Sequence, residues 1–170
     1  MVQIGASAAT LDEPIEHLVA CHRRIEQRLA TFERAAAELP EREVAAREAI
    51  AAAIRFMDTN GVWHTEDEER SLFPRLRPRL NAEELAFVEA LEAQHREAEE
   101  TFEALRAASS GLPATLPEYT RLASQLGEIY RQHIRSEDEI LTRLAKRSLD
   151  LADLAAITAE MRARREATCP

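Results

Sequence analysis

Two segments carry the same residue types at the same spacing. His64-Thr65-Glu66-Asp67-Glu68 and His133-Ile134-Arg135-Ser136-Glu137 are each a His-x-x-x-Glu. Residues four apart on an α-helix project from one face, a turn apart. Each segment therefore aims an imidazole and a carboxylate at one point. His22 and His95 lie inside two further helix-like segments. His22, His64, Glu68, His95, His133 and Glu137, converging from four helices, supply the nitrogen and oxygen donors of a non-haem two-metal site.

The elements that must position these residues follow from apolar periodicity and breakers. Helix one is expected from near Asp12, as N-cap, with Pro14 in the first turn, to about Leu39, where Pro40 breaks it. Its apolar seam (Ile15, Leu18, Ile25, Leu29, Phe32, Ala36) admits His22 in an alternation of steps of three and four. Helix two covers roughly 43–72, with Pro74 and Pro78 marking its end. Its seam reads Ile50, Ile54, Met57, Gly61, His64, Glu68 and Leu72. Gly61 either relieves crowding beside the site or marks a kink. Helix three opens at Asn81, with Glu84 completing a capping box, and ends at Ser109-Ser110-Gly111. Val88, Leu91, His95, Ala98, Phe102 and Leu105 form its seam. Helix four follows Pro113 and Pro117 and runs to about Arg147, through Leu122, Leu126, Ile129, His133, Glu137, Ile140 and Leu144. A weaker stripe over roughly 149–165 (Leu151, Leu154, Ile157, Met161) predicts a short helix on the outside. Short connections imply antiparallel neighbours. The expected fold is all-α, an up-down-up-down antiparallel four-helix bundle with a short extra C-terminal helix. The expected divisions are an arm over 1–11, the bundle over 12–147, and the C-terminal helix and tail over 148–170.

Composition agrees. The 170 residues include only 4 Gly and are rich in Ala, Leu, Glu and Arg, with no alternating β-branched runs. A net charge of −9 argues against nucleic acid and against an anionic membrane surface. Cys21 and Cys169 form no CxxC and no disulfide framework. No signal-peptide pattern or long apolar run is visible, so a soluble cytoplasmic protein is expected.

One buried histidine needs no metal, but one near the middle of each of four helices does call for an explanation. In an aliphatic core every imidazole nitrogen needs a partner, and an unpaired carboxylate costs several kcal/mol, roughly. A metal satisfies all six groups at once. His17 sits about 140° around the helix from His22 and reads as a surface or pocket-edge residue. Glu66, Asp67, Glu69, Asp138 and Glu139 are expected on solvated faces. Glu26 and Glu99, each four residues after a proposed ligand, could reach the site, although pairing with surface arginines is the simpler expectation. Tyr130 could border the site, and Trp63 and Cys21 are expected to pack without reacting.

Taken together the motifs are recognisable. Cys21-His22-Arg23-Arg24-Ile25, His64-x-x-x-Glu68-Glu69-x-x-Leu72-Phe73-Pro74, Gln94-His95 and His133-Ile134-x-x-Glu137-Asp138 resemble the hemerythrin-like (HHE cation-binding) family over about residues 12 to 147. The resemblance implies a helical bundle holding two iron ions, bridged by two carboxylates and an oxo or hydroxo group. By it, Glu68 and Glu137 are the bridging ligands, His22 and His64 serve one iron, and His95 and His133 the other. Oxygen-carrying members have a second histidine four residues away in helix three and an aspartate in helix four. Here Leu91 and Glu99 flank His95 at that spacing, and helix four has Glu137. The expected function is binding or sensing of dioxygen or another small ligand, such as nitric oxide. The alternatives are a di-iron peroxidase or oxidase acting on peroxide, with Tyr130 as a neighbour, and iron storage or donation.

Overall fold

Pro14 begins the first helix because its fixed φ and missing N–H suit a first helical turn. Helix α1 spans Pro14–Glu38 with Glu13 at the N-cap and no capping side chain. Asp12, expected as the cap, instead accepts a hydrogen bond from Arg162 at 2.6 Å. The structure, a computed structural model, describes residues 11–39 and 41–167. Pro40, Cys169 and all but Leu11 of the expected N-terminal arm lie outside the described residues.

The second helical run is longer than expected, widens twice into a π turn and tightens at its end. It comprises α2 (Glu43–Phe56), a π-helical turn (Met57–Gly61), α3 (Val62–Asp67), a second π turn (Glu68–Leu72), α4 (Phe73–Leu76) and a 3-10 turn (Arg77–Arg79). Pro74 does not end it. Proline lacks an N–H, and its ring crowds the carbonyl four residues back. Here it follows a π turn, where the Phe73 N–H reaches back five residues to the Glu68 carbonyl, and that wider turn accommodates the ring. Gly61 closes the first π turn. A Cβ there meets nothing nearer than Met57, at 3.5 Å. Gly61 therefore relieves no crowding, and it marks the change in pitch.

Helix α5 (Ala82–Ser110) opens with the expected capping box, both Asn81–Glu84 bonds being 3.0 Å. Helix α6 (Leu116–Ser136) carries Pro117 in its first turn and continues through a third π turn (Glu137–Leu141) into α7 (Thr142–Ser148). That turn advances the buried face by one position. Leu141 is buried and Ile140, expected on the seam, is 37% exposed. Helix α8 (Leu151–Ala167) packs on α3, the second π turn and α1. Ile157 and Met161 make that packing, whereas Leu151 is exposed. No strand occurs among the described residues, and no helix there is long and apolar enough to cross a membrane.

Helix α1 packs on α2 and α6, and α5 packs on α6. The seams build two apolar clusters rather than one. Ile25, Leu29, Phe32, Leu105 and Leu126 belong to the first. Leu18, Leu72, Phe73, Leu91 and Leu141 belong to the second. Along each seam the polar residues fall where one cluster gives way to the other: His22 between Leu18 and Ile25, His95 between Leu91 and Phe102. The fold thus holds a polar layer between two aliphatic ones.

Candidate metal centre

Six buried polar side chains meet in that layer. His22 comes from α1, His64 from α3, His95 from α5 and His133 from α6, while Glu68 and Glu137 each begin a π turn. Glu68 lies 3.5 Å from His64 Nε2 and 3.3 Å from His95 Nε2. Glu137 Oε2 lies 3.1 Å from both His22 Nε2 and His133 Nε2. The residues divide into two donor sets, His22/His64/Glu68/Glu137 and Glu68/His95/His133/Glu137. Within each set one donor atom per residue lies within 4.8 Å of all the others. Both carboxylates belong to both sets.

Outer partners turn the imidazoles so that Nε2 points inward. His22 Nδ1 lies 2.7 Å from Asp138 Oδ1, His95 Nδ1 2.8 Å from Glu69 Oε1, and His133 Nδ1 3.0 Å from Gln94 Oε1. These oxygens can only accept, so Nδ1 carries the proton in each case and Nε2 is the inward atom. His64 Nδ1 alone has no partner. Phe73 stacks on His95, with ring centroids 6.2 Å apart and planes 7° from parallel.

Three carboxylates expected on solvated faces are not there. Glu69 and Asp138 directly follow Glu68 and Glu137, where a regular helix turns each residue about 100° from the last. The π turns rotate successive residues by less, which keeps these two acids near the seam and brings them onto His95 and His22. Asp67 is fully buried because α8 covers it. Its oxygens accept from Arg164 at 2.6 Å and Arg165 at 2.8 Å. Arg164 also bonds Ser71, and Arg165 lies 5.3 Å from the Trp63 ring centre. Of these outer partners, Gln94 has no role in the sequence reading and Glu69 is expected on a solvated face, although both stand inside the quoted motifs.

The metal-free electrostatics are those of a crowded acid–base cluster. Burial disfavours the charged form of His22, yet Glu137, Glu68 and Asp138 raise its pKa to about 9. His95 is likewise raised against burial, by Glu68 and Glu69, to about 10. A protonated His95 can donate from Nε2 to His133 Nε2, 3.0 Å away. Burial and the neighbouring His22 charge hold His64 well below the usual imidazole value. Burial and the Glu137 charge push Glu68 up to about 7, whereas His133 and His22 outweigh burial at Glu137 and hold it well below the usual range.

Those protons leave much of the cluster unsatisfied. His22 Nε2, both His64 nitrogens, Glu68 Oε2 and both Glu137 oxygens have no hydrogen-bond partner; several are near one another but at angles that form no bond. Buried polar atoms without partners are rare and costly. A cation set among inward-pointing nitrogen lone pairs and carboxylate oxygens satisfies them, and the all-nitrogen-and-oxygen donor set fits iron. The Cys21 thiol is outside both sets, and burial pushes its pKa up to about 11. Also outside both sets are Glu26, paired with Arg23 at 2.9 Å, the half-buried His17, and the exposed Glu99. Tyr130 stands edge-on to His133, with centroids 6.4 Å apart, and burial raises its phenol above the usual range.

A family model described as the hemerythrin HHE cation binding domain matches residues 13–145. That span contains all six residues and stops before α8. No curated protein matches the chain.

Proposed function

The chain belongs to the hemerythrin HHE cation-binding family, and on that membership and the buried His/Glu cluster we propose a non-haem di-iron protein that binds or senses dioxygen or a similar small ligand, such as nitric oxide. His22 and His64 would hold one ion and His95 and His133 the other, with Glu68 and Glu137 available to both. The observation that carries this reading is the membership of both carboxylates in both donor sets. We take the first four helical runs as an up-down-up-down antiparallel bundle around the site, with α8 laid against it.

When bound, two irons supply a redox couple able to take up dioxygen or its relatives. The chain supplies orientation and dryness. Asp138, Glu69 and Gln94 hold three imidazoles with their lone pairs inward. The two aliphatic clusters exclude water above and below the polar layer. The expected result is a coloured protein whose visible absorption changes on reduction and returns on reoxygenation. Identical spectra with and without oxygen contradict it.

One observation favours a second reading, turnover of peroxide as a peroxidase or oxidase. Tyr130 shares a cleft with His95, where a phenol can serve as a proton or electron donor. Steady peroxide consumption that is lost in His64→Ala supports turnover, and a stoichiometric reaction alone speaks against it.

A further inference from the structure

The two π turns that begin with a donor carboxylate are held in different ways. Glu137 is preceded by Ser136, whose hydroxyl donates to the Gln132 carbonyl at 3.0 Å, and Thr142 donates to the Glu137 carbonyl at 3.1 Å. Both bonds lie within one helical run. Glu68 is preceded instead by the fully buried Asp67, and both guanidiniums that pair with Asp67 come from α8. Arg164 donates to Asp67 at 2.6 Å and, with its other terminal nitrogen, to the Ser71 hydroxyl. It thereby clamps the start of the Glu68–Leu72 turn to its end. Arg165 donates to the second Asp67 oxygen at 2.8 Å. One turn further on, Arg75 donates to Glu160 of α8 at 2.7 and 3.1 Å and to the Ser71 carbonyl at 2.9 Å. Ile157 and Met161, both fully buried, seat α8 on the aliphatic cluster that holds Leu72 and Phe73.

The turn at Glu68 needs such support. Its wide winding is uncommon, and a small change in its pitch swings the Glu68 carboxylate relative to His64 and His95. Glu68 belongs to both donor sets, so that swing is felt at both. Asp67 is stable in the interior only while its charge is paired. The pairing comes from a helix outside residues 13–145, the span of the family match.

We propose, resting on the di-iron reading above, that α8 is a strap that positions Glu68 for both ions, with Arg164 and Arg165 as positioning residues. Retention of both ions then depends on α8 staying docked. The coupling is reciprocal: whatever factor docked α8 adds to metal affinity, bound metal adds to the docking of α8.

The test uses the iron-loaded full chain. An Arg164→Gln/Arg165→Gln double variant is expected to hold both irons about tenfold less tightly in competition with a chelator, the lower end of what disturbing a ligand's support costs. At equal iron content its visible absorption bands are expected to shift, because Glu68 meets the ions differently. Arg79→Gln removes the ion pair to Asp153 at the other end of α8 and is expected to match wild type in both respects. Affinity within twofold of wild type, weaker binding with unshifted bands, or equal weakening in Arg79→Gln overturns the proposal. Should the double variant fail to fold, hydrogen exchange in the wild-type chain decides. Amides from Ile157 to Arg165 are expected to exchange about tenfold more slowly in the loaded protein than in the metal-free one. Equal rates overturn the strap and leave the di-iron reading intact. A wild-type chain that takes up fewer than two irons overturns that reading, and this proposal with it.

Discussion

His64 differs from the other three imidazoles in having no acceptor at Nδ1, so ligand orientation at this centre rests on Asp138, Glu69 and Gln94. Loss of an outer partner of a metal-bound histidine typically weakens metal binding about 10–100-fold. Glu69→Ala and Asp138→Ala are each expected to do so in competition with a chelator, and affinities within twofold of wild type contradict the assignment. Protonation gives a second prediction at this scale. In the metal-free protein His22 and His95 are raised to about 9 and about 10. A raised imidazole stabilises the fold fully below its ordinary value of 6.5, and that contribution is lost as pH climbs through 9 to 10. Glu68, raised to about 7, costs stability as it ionises, in the same direction. Metal binding requires neutral imidazoles and ionised carboxylates, so affinity rises over this range. The Tm of the metal-free protein should therefore fall from pH 6.5 to 10 while the gap to the loaded protein widens; a constant gap is the contrary outcome. His64, Glu68, His133 and Glu137 were legible in the sequence because four-residue spacing on a helix is a direct statement of facing, and His22 and His95 because each interrupts an apolar seam. Glu69 and Asp138 were not, because their placement depends on local pitch, which residue types alone do not reveal.

At the scale of elements, the seams of α1 and α5 follow from 3.6-residue periodicity and are buried as expected, from Ile15 to Ala36 and from Val88 to Leu105. Three π turns escape that reasoning, which assumes constant pitch, and they account for the misplaced Ile140 and for Pro74 inside a helical run. Two of them begin at Glu68 and Glu137, consistent with the tendency of π-bulges to occur at functional sites. Helix α8 was expected as a short outside helix. Its attachment to Asp67 was invisible, because nothing in residues 149–165 names the partner of Arg164 or Arg165. That attachment carries a stability prediction. Removing one member of a buried ion pair strands the other and costs about 3–5 kcal/mol. Asp67→Ala should fall toward the lower end, since Arg164 and Arg165 keep 14% and 21% of their side-chain exposure. Urea unfolding checks this. A loss below about 0.5 kcal/mol, the size of an ordinary surface change, means that α8 is not held through Asp67.

For the whole molecule, composition and periodicity were enough to read an all-helical chain. The division of its interior into two aliphatic clusters around one polar layer emerges only from packing. That division makes the centre costly without a cation, because nitrogen and oxygen atoms without partners sit where water does not reach. Ligand binding and peroxide turnover at this centre both depend on two ions sharing Glu68 and Glu137. Anomalous diffraction at the iron edge from crystals of the loaded protein tests that dependence most directly. The account predicts two peaks about 3.5–4 Å apart, as in other two-metal sites, each within bonding reach of both carboxylates and of its own pair of histidines. A single peak, or two peaks that do not share Glu68 and Glu137, contradicts it.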